Sequence, residues 1–192
     1  LLAVGSRISG RITGGNLQTF ARGAKKWVID VDPSLLQKKL QQIPFDENVF
    51  CDAKIFLRRL FDKIANVSLP DISAWTKKVM HWKEKYDPVL PEYTSLDRSN
   101  VHPYYFFRIL SEEMGPNDIL VGDCGGNIVA SNHSFETKRG QRNITNNGNS
   151  PMGFSFAGAM GAWLGSDKKH NVVATIGDGG FNMNIQEIQT VL

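Results

Sequence analysis

Apolar residues along this chain come in short β-branched runs, each followed by a polar turn and then a stretch with helical spacing. That alternation is the pattern of a parallel α/β sheet. Leu1-Leu2-Ala3-Val4 reads as a strand running into Gly5-Ser6-Arg7, a turn with glycine freedom and a cation. Gly14 and Gly15 mark a loop. Trp27 to Val31 is a second strand, ending at Asp30-Val31-Asp32-Pro33. Pro33 suits the first turn of a helix capped by Asp32 and continuing to residue 41. Phe45 to Cys51 is a third strand, closing on Asp52. Ala53 to Ile64 follows as an amphipathic helix, with Ile55, Phe56, Leu60, Phe61 and Ile64 on one side.

Residues 67–100 read as a connector punctuated by Pro70, Pro88 and Pro91. Inside it, Trp75 to Tyr86 carries Lys77, Lys78, Lys83 and Lys85 beside Trp75, Trp82 and Tyr86. A basic aromatic helix can bind an acidic partner. The plainer expectation is a solvated surface helix with its indoles packed onto a neighbouring domain. A second α/β pattern begins near Asn100. Pro103 opens a helix through Glu113, stopped by Gly115-Pro116. Asp118 to Val121 is a strand entering Gly122-Asp123-Cys124-Gly125-Gly126-Asn127. Met152 to Trp163 reads as a closely packed helix, with Gly153, Ala157, Gly158, Ala159, Gly161 and Ala162 leaving little side chain. The expected fold is α/β: two partial three-layer α/β/α Rossmann-like units with mostly parallel sheets, joined by a helical linker. Its boundaries are 1–66, 67–100 and 101–192.

The chemistry concentrates where Val172 to Ile176, an expected strand buried on both faces, meets Gly177-Asp178-Gly179-Gly180-Phe181-Asn182-Met183-Asn184. Gly177, Gly179 and Gly180 let backbone N–H groups approach a ligand. Asn182 or Asn184 can cap a following helix that begins its period at Ile185 and Ile188. A helix start beside glycine amides suits phosphate. Asp178 would repel a phosphate unless a divalent cation lay between them, so the turn implies a diphosphate held through Mg²⁺. The alternative is an ordinary turn with a polar Asp. Gly125-Gly126-Asn127 lies at a second strand end and could face the same ligand.

Composition narrows the classes. The 192 residues are 41% hydrophobic and 10% aromatic, which suits a chain that buries a core. A net charge of +3 with scattered basic residues argues for neither nucleic acid nor a membrane surface. No apolar run reaches the length of a membrane span. Cys51 and Cys124 form no metal-type spacing and read as small thiols of a reducing, cytoplasmic compartment. Leu1 opens inside a strand pattern, so both ends are expected to cut through domains. His81, His102, His133 and His170 have no visible partner and read as structural or surface residues.

The string from Gly177 to Thr190 resembles the cofactor motif of thiamine-diphosphate (ThDP) enzymes, nearest to the acetolactate synthase-like family. Met152-Gly153-Phe154 through Ala162 resembles that family's Met-Gly-Phe helix. Gly5-Ser6-Arg7, Arg11-Ile12-Thr13-Gly14, Asp30-Val31-Asp32-Pro33 and Cys51-Asp52-Ala53-Lys54 resemble its middle domain. The resemblance implies that Asp178 binds Mg²⁺, and that Gly125, Gly126, Asn127, Gly177, Gly179 and Gly180 face the diphosphate. It implies that Met152 wedges under the cofactor and that Met183 shapes the pocket. Some family members hold FAD at positions like Arg7, Arg11, Asp32 and Asp52; in others that domain is empty, and the two Asp residues can equally be helix caps. The implied reaction is decarboxylation of a 2-keto acid and ligation of the fragment to an acceptor carbonyl, in a homodimer or homotetramer. The second metal ligand, an Asn, falls beyond Leu192. The activating Glu falls in a preceding domain, so no catalytic residue is expected within this segment, which alone should be inactive. Departures stand where substrate would lie: the family's Gly-Gln-His reads Gly125-Gly126-Asn127, and its helix Pro reads Ala157. Two alternatives remain: a decarboxylase or oxidase without carboligation, and a non-catalytic nucleotide- or subunit-binding paralogue.

Overall fold

The computed structural model describes residues 1–6, 8–36, 43–94 and 100–192, without the side chains of residues 11, 35 and 36. They form two compact units, Leu1–Ile72 and Ser73–Leu192. Both are open parallel α/β sheets, as the sequence pattern requires.

In the first unit, β1 (Leu2–Val4), β2 (Trp27–Asp30) and β3 (Glu47–Phe50) pair in the order β1-β2-β3, all parallel. Ile29 at the centre is fully buried, with Ala3 and Val28 beside it. A short α1 (Gly10–Thr13) follows β1, and α2 (Pro33–Leu36) follows β2. The expected continuation of α2 to residue 41 lies outside the described residues from position 37 on. α3 (Ala53–Ile64) has the expected bounds, because Asp52 caps it: one carboxylate oxygen accepts from the N–H groups of Lys54 at 2.9 Å and Ile55 at 3.1 Å. Its apolar side is narrower than its sequence suggests. Phe56, Leu60 and Ile64, four residues apart, are half-buried, whereas Ile55 and Phe61 stay 49% and 66% exposed.

The second unit opens with α4 (Ser73–Lys85), exposed along its whole length. Its indoles contact each other, Trp75 edge-on to Trp82 at 5.7 Å, and Lys78 stands over the Trp82 ring. α5 (Pro103–Glu113) is capped by His102, whose Nδ1 accepts from the Tyr104 N–H at 3.2 Å and whose ring stacks on Tyr93. The carbonyls at its far end are met by side chains: Lys138 donates to Glu112 and Met114, and Gln141 to Met114 and Gly115.

The sheet of this unit has the order β5-β4-β6, all parallel, from β4 (Ile119–Gly122), β5 (Arg142–Thr145) and β6 (Val172–Thr175). β4 is central and buried at every position. β6, expected to be buried on both faces, is only half-buried, since β4 is its one partner among the described residues. Alternate residues of β4 serve opposite faces. Leu120 packs with Phe107 of α5 and with Ala130 of α6 (Gly126–Ser134), together with Met114 and Phe135. Val121 meets α7 (Phe154–Gly165) on the other face at Gly158, where an added Cβ would lie 3.2 Å from the Val121 methyl. That close approach explains one of the small residues of α7. α8 (Asp178–Met183) and α9 (Ile188–Val191) complete the chain, with a 3₁₀ turn at Ile185–Glu187 between them.

Candidate functional site

Gly122 pairs in register with Thr145 on one side and Thr175 on the other, so the three strands end level. The loops leaving that edge, and the first turns of the helices they enter, carry the cofactor candidates Gly125, Gly126, Asn127, Met152 and Gly177 to Gly180. Ligands of open α/β sheets bind at such an edge.

The β4 loop turns through Gly125, whose φ of 71° favours glycine, and enters α6 at Gly126. Both glycines are exposed, and a Cβ at either would find nothing within 4 Å. Asn127 in the first turn of α6 keeps a buried Oδ1 without a hydrogen-bond partner. The hydroxyls of Thr145 and Thr175, level with Gly122, are likewise buried and unpartnered.

The β6 loop enters α8 sooner than expected. Gly177 is the cap residue and Asp178 the first helical residue of α8; Asn182 lies inside α8, and Asn184 stands at the cap position of the 3₁₀ turn that holds Ile185 but makes no side-chain cap bond, with Ile188 starting the separate α9. The Asn184 side chain is used elsewhere: its Nδ2 donates to the Gly153 carbonyl at 2.8 Å. Asp178 is exposed, and its carboxylate takes part in none of the hydrogen bonds or ion pairs of the described residues. No cluster of three His, Cys, Asp or Glu suited to a metal forms among the described residues.

Met152 lies ahead of α7 and not within it, because Gly153 takes a left-handed φ of 88° and starts the helix afresh. The Met152 methyl occupies the place a Cβ at Gly179 would need. A Cβ at Gly153 would meet Asn184 Nδ2 at 2.6 Å, the Gly180 carbonyl at 3.1 Å and Met183 Cβ at 3.4 Å. Met152-Gly153 and Gly179-Gly180 thus interlock, with Met183 beside them. Met152 and Met183 remain about half exposed at 47% and 57%.

Asp123, absent from the candidates drawn from sequence, is the centre of this interlock. It is 3% exposed. Its Oδ2 accepts from the Gly153 N–H and its Oδ1 from the Ser155 N–H, both at 3.0 Å. Its own N–H donates to the Thr175 carbonyl at 3.1 Å. A Cβ at Gly180 would lie 2.5 Å from Oδ2. Burial is the largest single influence on its pKa and acts to raise it; together the backbone bonds from Ser155, Gly153 and Cys124, with the Cys124 thiol, outweigh burial and hold the carboxyl below its usual 3.8. Burial and the Asp123 charge push the Cys124 thiol up, which leaves it protonated and a poor nucleophile. The sequence did hold a signal for Asp123: a carboxylate directly after a fully apolar strand, and a later helix opening on a glycine with no side chain to cap it.

In the first unit, Asp32 and Asp52 stand just past the carboxyl ends of β2 and β3, both exposed. Both cap helices. Asp32 Oδ1 accepts from the Ser34 N–H at 2.8 Å and its hydroxyl at 2.7 Å. Arg7 and the Arg11 side chain lie outside the described residues.

The open parallel sheet, with helices on both faces and glycine-rich loops at its carboxyl edge, defines a doubly wound type of α/β domain. Residues 123–192 match the family described as thiamine pyrophosphate enzyme, C-terminal TPP binding domain. The whole chain is 32% identical over 197 residues to a probable acetolactate synthase large subunit of Methanocaldococcus jannaschii, covering 32% of that protein. It is 30% identical to the chloroplastic acetolactate synthase 1 of Nicotiana tabacum over 196 residues, all of this chain and 28% of the relative. With the acetolactate synthase large subunit of Lactococcus lactis the identity is 29% over 192 residues, 98% of this chain and 31% of the relative. The chain is therefore similar over its whole length to acetolactate synthases, and over residues 123–192 to the thiamine pyrophosphate-binding domain of such enzymes. It spans about a third of the length of these relatives. No helix among the described residues is long and apolar enough to cross a membrane.

Proposed function

We propose that this chain forms the diphosphate-side part of a ThDP- and Mg²⁺-dependent enzyme that decarboxylates a 2-keto acid and joins the fragment to an acceptor carbonyl. The observation that carries the proposal is the interlock of the Met152 turn with the Gly179-Gly180 turn, at a sheet edge that also exposes Gly125 and Gly126. The residues fit the cofactor. The backbone at Gly125, Gly126, Gly177, Gly179 and Gly180 would hold the diphosphate, with N–H groups as donors. The unpartnered Asn127 Oδ1 is a polar group suited to the same ligand. α8 has only six residues, so the individual amides matter more here than a helix dipole. Asp178, exposed and without an ion pair among the described residues, would hold Mg²⁺ between itself and the phosphates.

When bound, the cofactor supplies the electron sink for breaking the bond next to a carbonyl. The residues of this chain bind, orient and exclude water. Met152 and Met183 present flexible apolar surface that follows the shape of a bulky ring and keeps water from it. The substrate class, a homodimeric or homotetrameric assembly and a cytoplasmic setting belong to the same proposal. The departures at Gly126-Asn127 and Ala157 favour an acceptor other than a second pyruvate.

The test uses the full-length protein. Mg²⁺-dependent ThDP binding and CO₂ release from pyruvate or a related 2-keto acid are expected, with a carbon–carbon-bonded product. Aldehyde or acid alone as product would point to the decarboxylase or oxidase reading. Binding with no CO₂ from any 2-keto acid would point to the non-catalytic paralogue, and no binding would sink the proposal.

A further inference from the structure

We infer that Asp123 is a positioning residue of this cofactor site: its carboxylate acts as a remote cap of α7 and sets the Met152 side chain at a fixed depth over Gly179. The inference rests on the proposed reading of the site.

α7 opens on Gly153, which has no side chain to satisfy the first N–H groups of the helix. Asp123 supplies that cap from 30 and 32 residues away, through Gly153 and Ser155. A carboxylate at a helix start is also favoured by the helix field. The same carboxylate abuts Gly180, where only a hydrogen in place of Cβ leaves room for Oδ2. One buried charge therefore touches the residue after Met152 and the residue after Gly179. Its third tie, the N–H bond to the Thr175 carbonyl, fixes it to β6. Met152 and Gly179 are held in contact by residues one step further along each loop. Asp123 faces backbone and the Cys124 thiol, with no cationic partner in its hydrogen bonds or ion pairs among the described residues. Asparagine is the nearest isostere, but it presents one oxygen and an N–H₂ to two N–H donors, so it can keep only one of the two bonds.

The test compares two probes on the full-length protein: ThDP with Mg²⁺, and inorganic diphosphate with Mg²⁺. Asp123→Asn is expected to weaken ThDP by roughly tenfold, the scale of lost second-layer support at a bound group. Inorganic diphosphate, which does not reach Met152, should change by less than about threefold. Met152→Ala should show the same split, and the double variant should bind ThDP no more weakly than Met152→Ala alone, because the two act through one contact. Equal losses for both probes, or additive effects in the double variant, would overturn the inference in favour of a merely structural carboxylate. If Asp123→Asn does not fold, Asp123→Glu carries the test: it keeps the charge but moves it by one methylene, and an unaltered ThDP affinity there would also overturn it. A wild-type protein that binds neither probe removes the functional reading itself, and the inference with it. One that binds both probes and shows no split in the variants removes the inference alone.

Discussion

The methyl group of Met152 fills the space that a Cβ on Gly179 would occupy, so a side chain of one loop stands in for the missing side chain of the other. This pair and its neighbour respond differently to the same substitution. At Gly179→Ala the obstacle is the end of a flexible, half-exposed methionine, which can swing away. Stability should change by no more than about 1 kcal/mol, while ThDP affinity falls. At Gly180→Ala the obstacles are the Asp123 carboxylate and the Gly153 backbone, which cannot move without breaking hydrogen bonds. That variant should lose about 1–3 kcal/mol. Chemical unfolding of both, beside cofactor titration, checks the contrast.

Asp178→Asn should leave stability within about 0.5 kcal/mol, because the carboxylate is exposed and has no hydrogen bond or ion pair among the described residues. It should remove most of the Mg²⁺ dependence of ThDP binding. Isothermal titration with and without Mg²⁺ reads both effects; unchanged Mg²⁺ dependence would rule Asp178 out as the metal ligand.

Asp123 gives the second unit a defined acid limit. Its carboxyl is held below 3.8 in the folded state, so its contribution is present above that value and lost as pH falls through the folded value. The stability difference between wild type and Asp123→Asn, of the order of 1–3 kcal/mol for a buried charged hydrogen-bonding group, should be constant at neutral pH and shrink below roughly pH 4. Denaturant midpoints at pH 7, 5 and 3 measure it.

Asp52→Ala should cost about 1 kcal/mol through the lost cap of α3. Since Asp52 and Asp32 are engaged as caps, the purified full-length protein is expected to show no yellow flavin absorbance. Stoichiometric FAD would reverse that expectation and make Arg7 and Arg11 the residues to substitute next.

The sequence was most readable where burial follows a period. α3 and α5 were found with their bounds, because Asp52 and Pro103 announce their starts. β5 was missed because Arg142-Asn143-Ile144-Thr145 has no apolar run; pairing with β4 makes it a strand. α6 was missed because its buried face includes Ser131 and Ser134, whose hydroxyls bond back to Ile128 and Ala130 carbonyls and so can be buried without an apolar signature. The glycine turns were legible as a chemical pattern. What joins them was not, because the Asp123 contacts span 30 residues and depend on Gly153 turning left-handed.

The glycines of this edge fall into two kinds. Gly153 and Gly180 are confined by backbone and by hydrogen-bonded side chains, and folding alone is enough to exclude a larger residue there, whereas at Gly179 the movable Met152 methyl is the obstacle. Gly126 and Gly177 have empty space around them and ordinary backbone angles, so the fold would accept alanine at either. Natural variation across relatives then becomes a chemical probe. A glycine that persists through divergence where the polypeptide leaves it room is being held by something that is not polypeptide, and positions 126 and 177 are where selection would record that visitor.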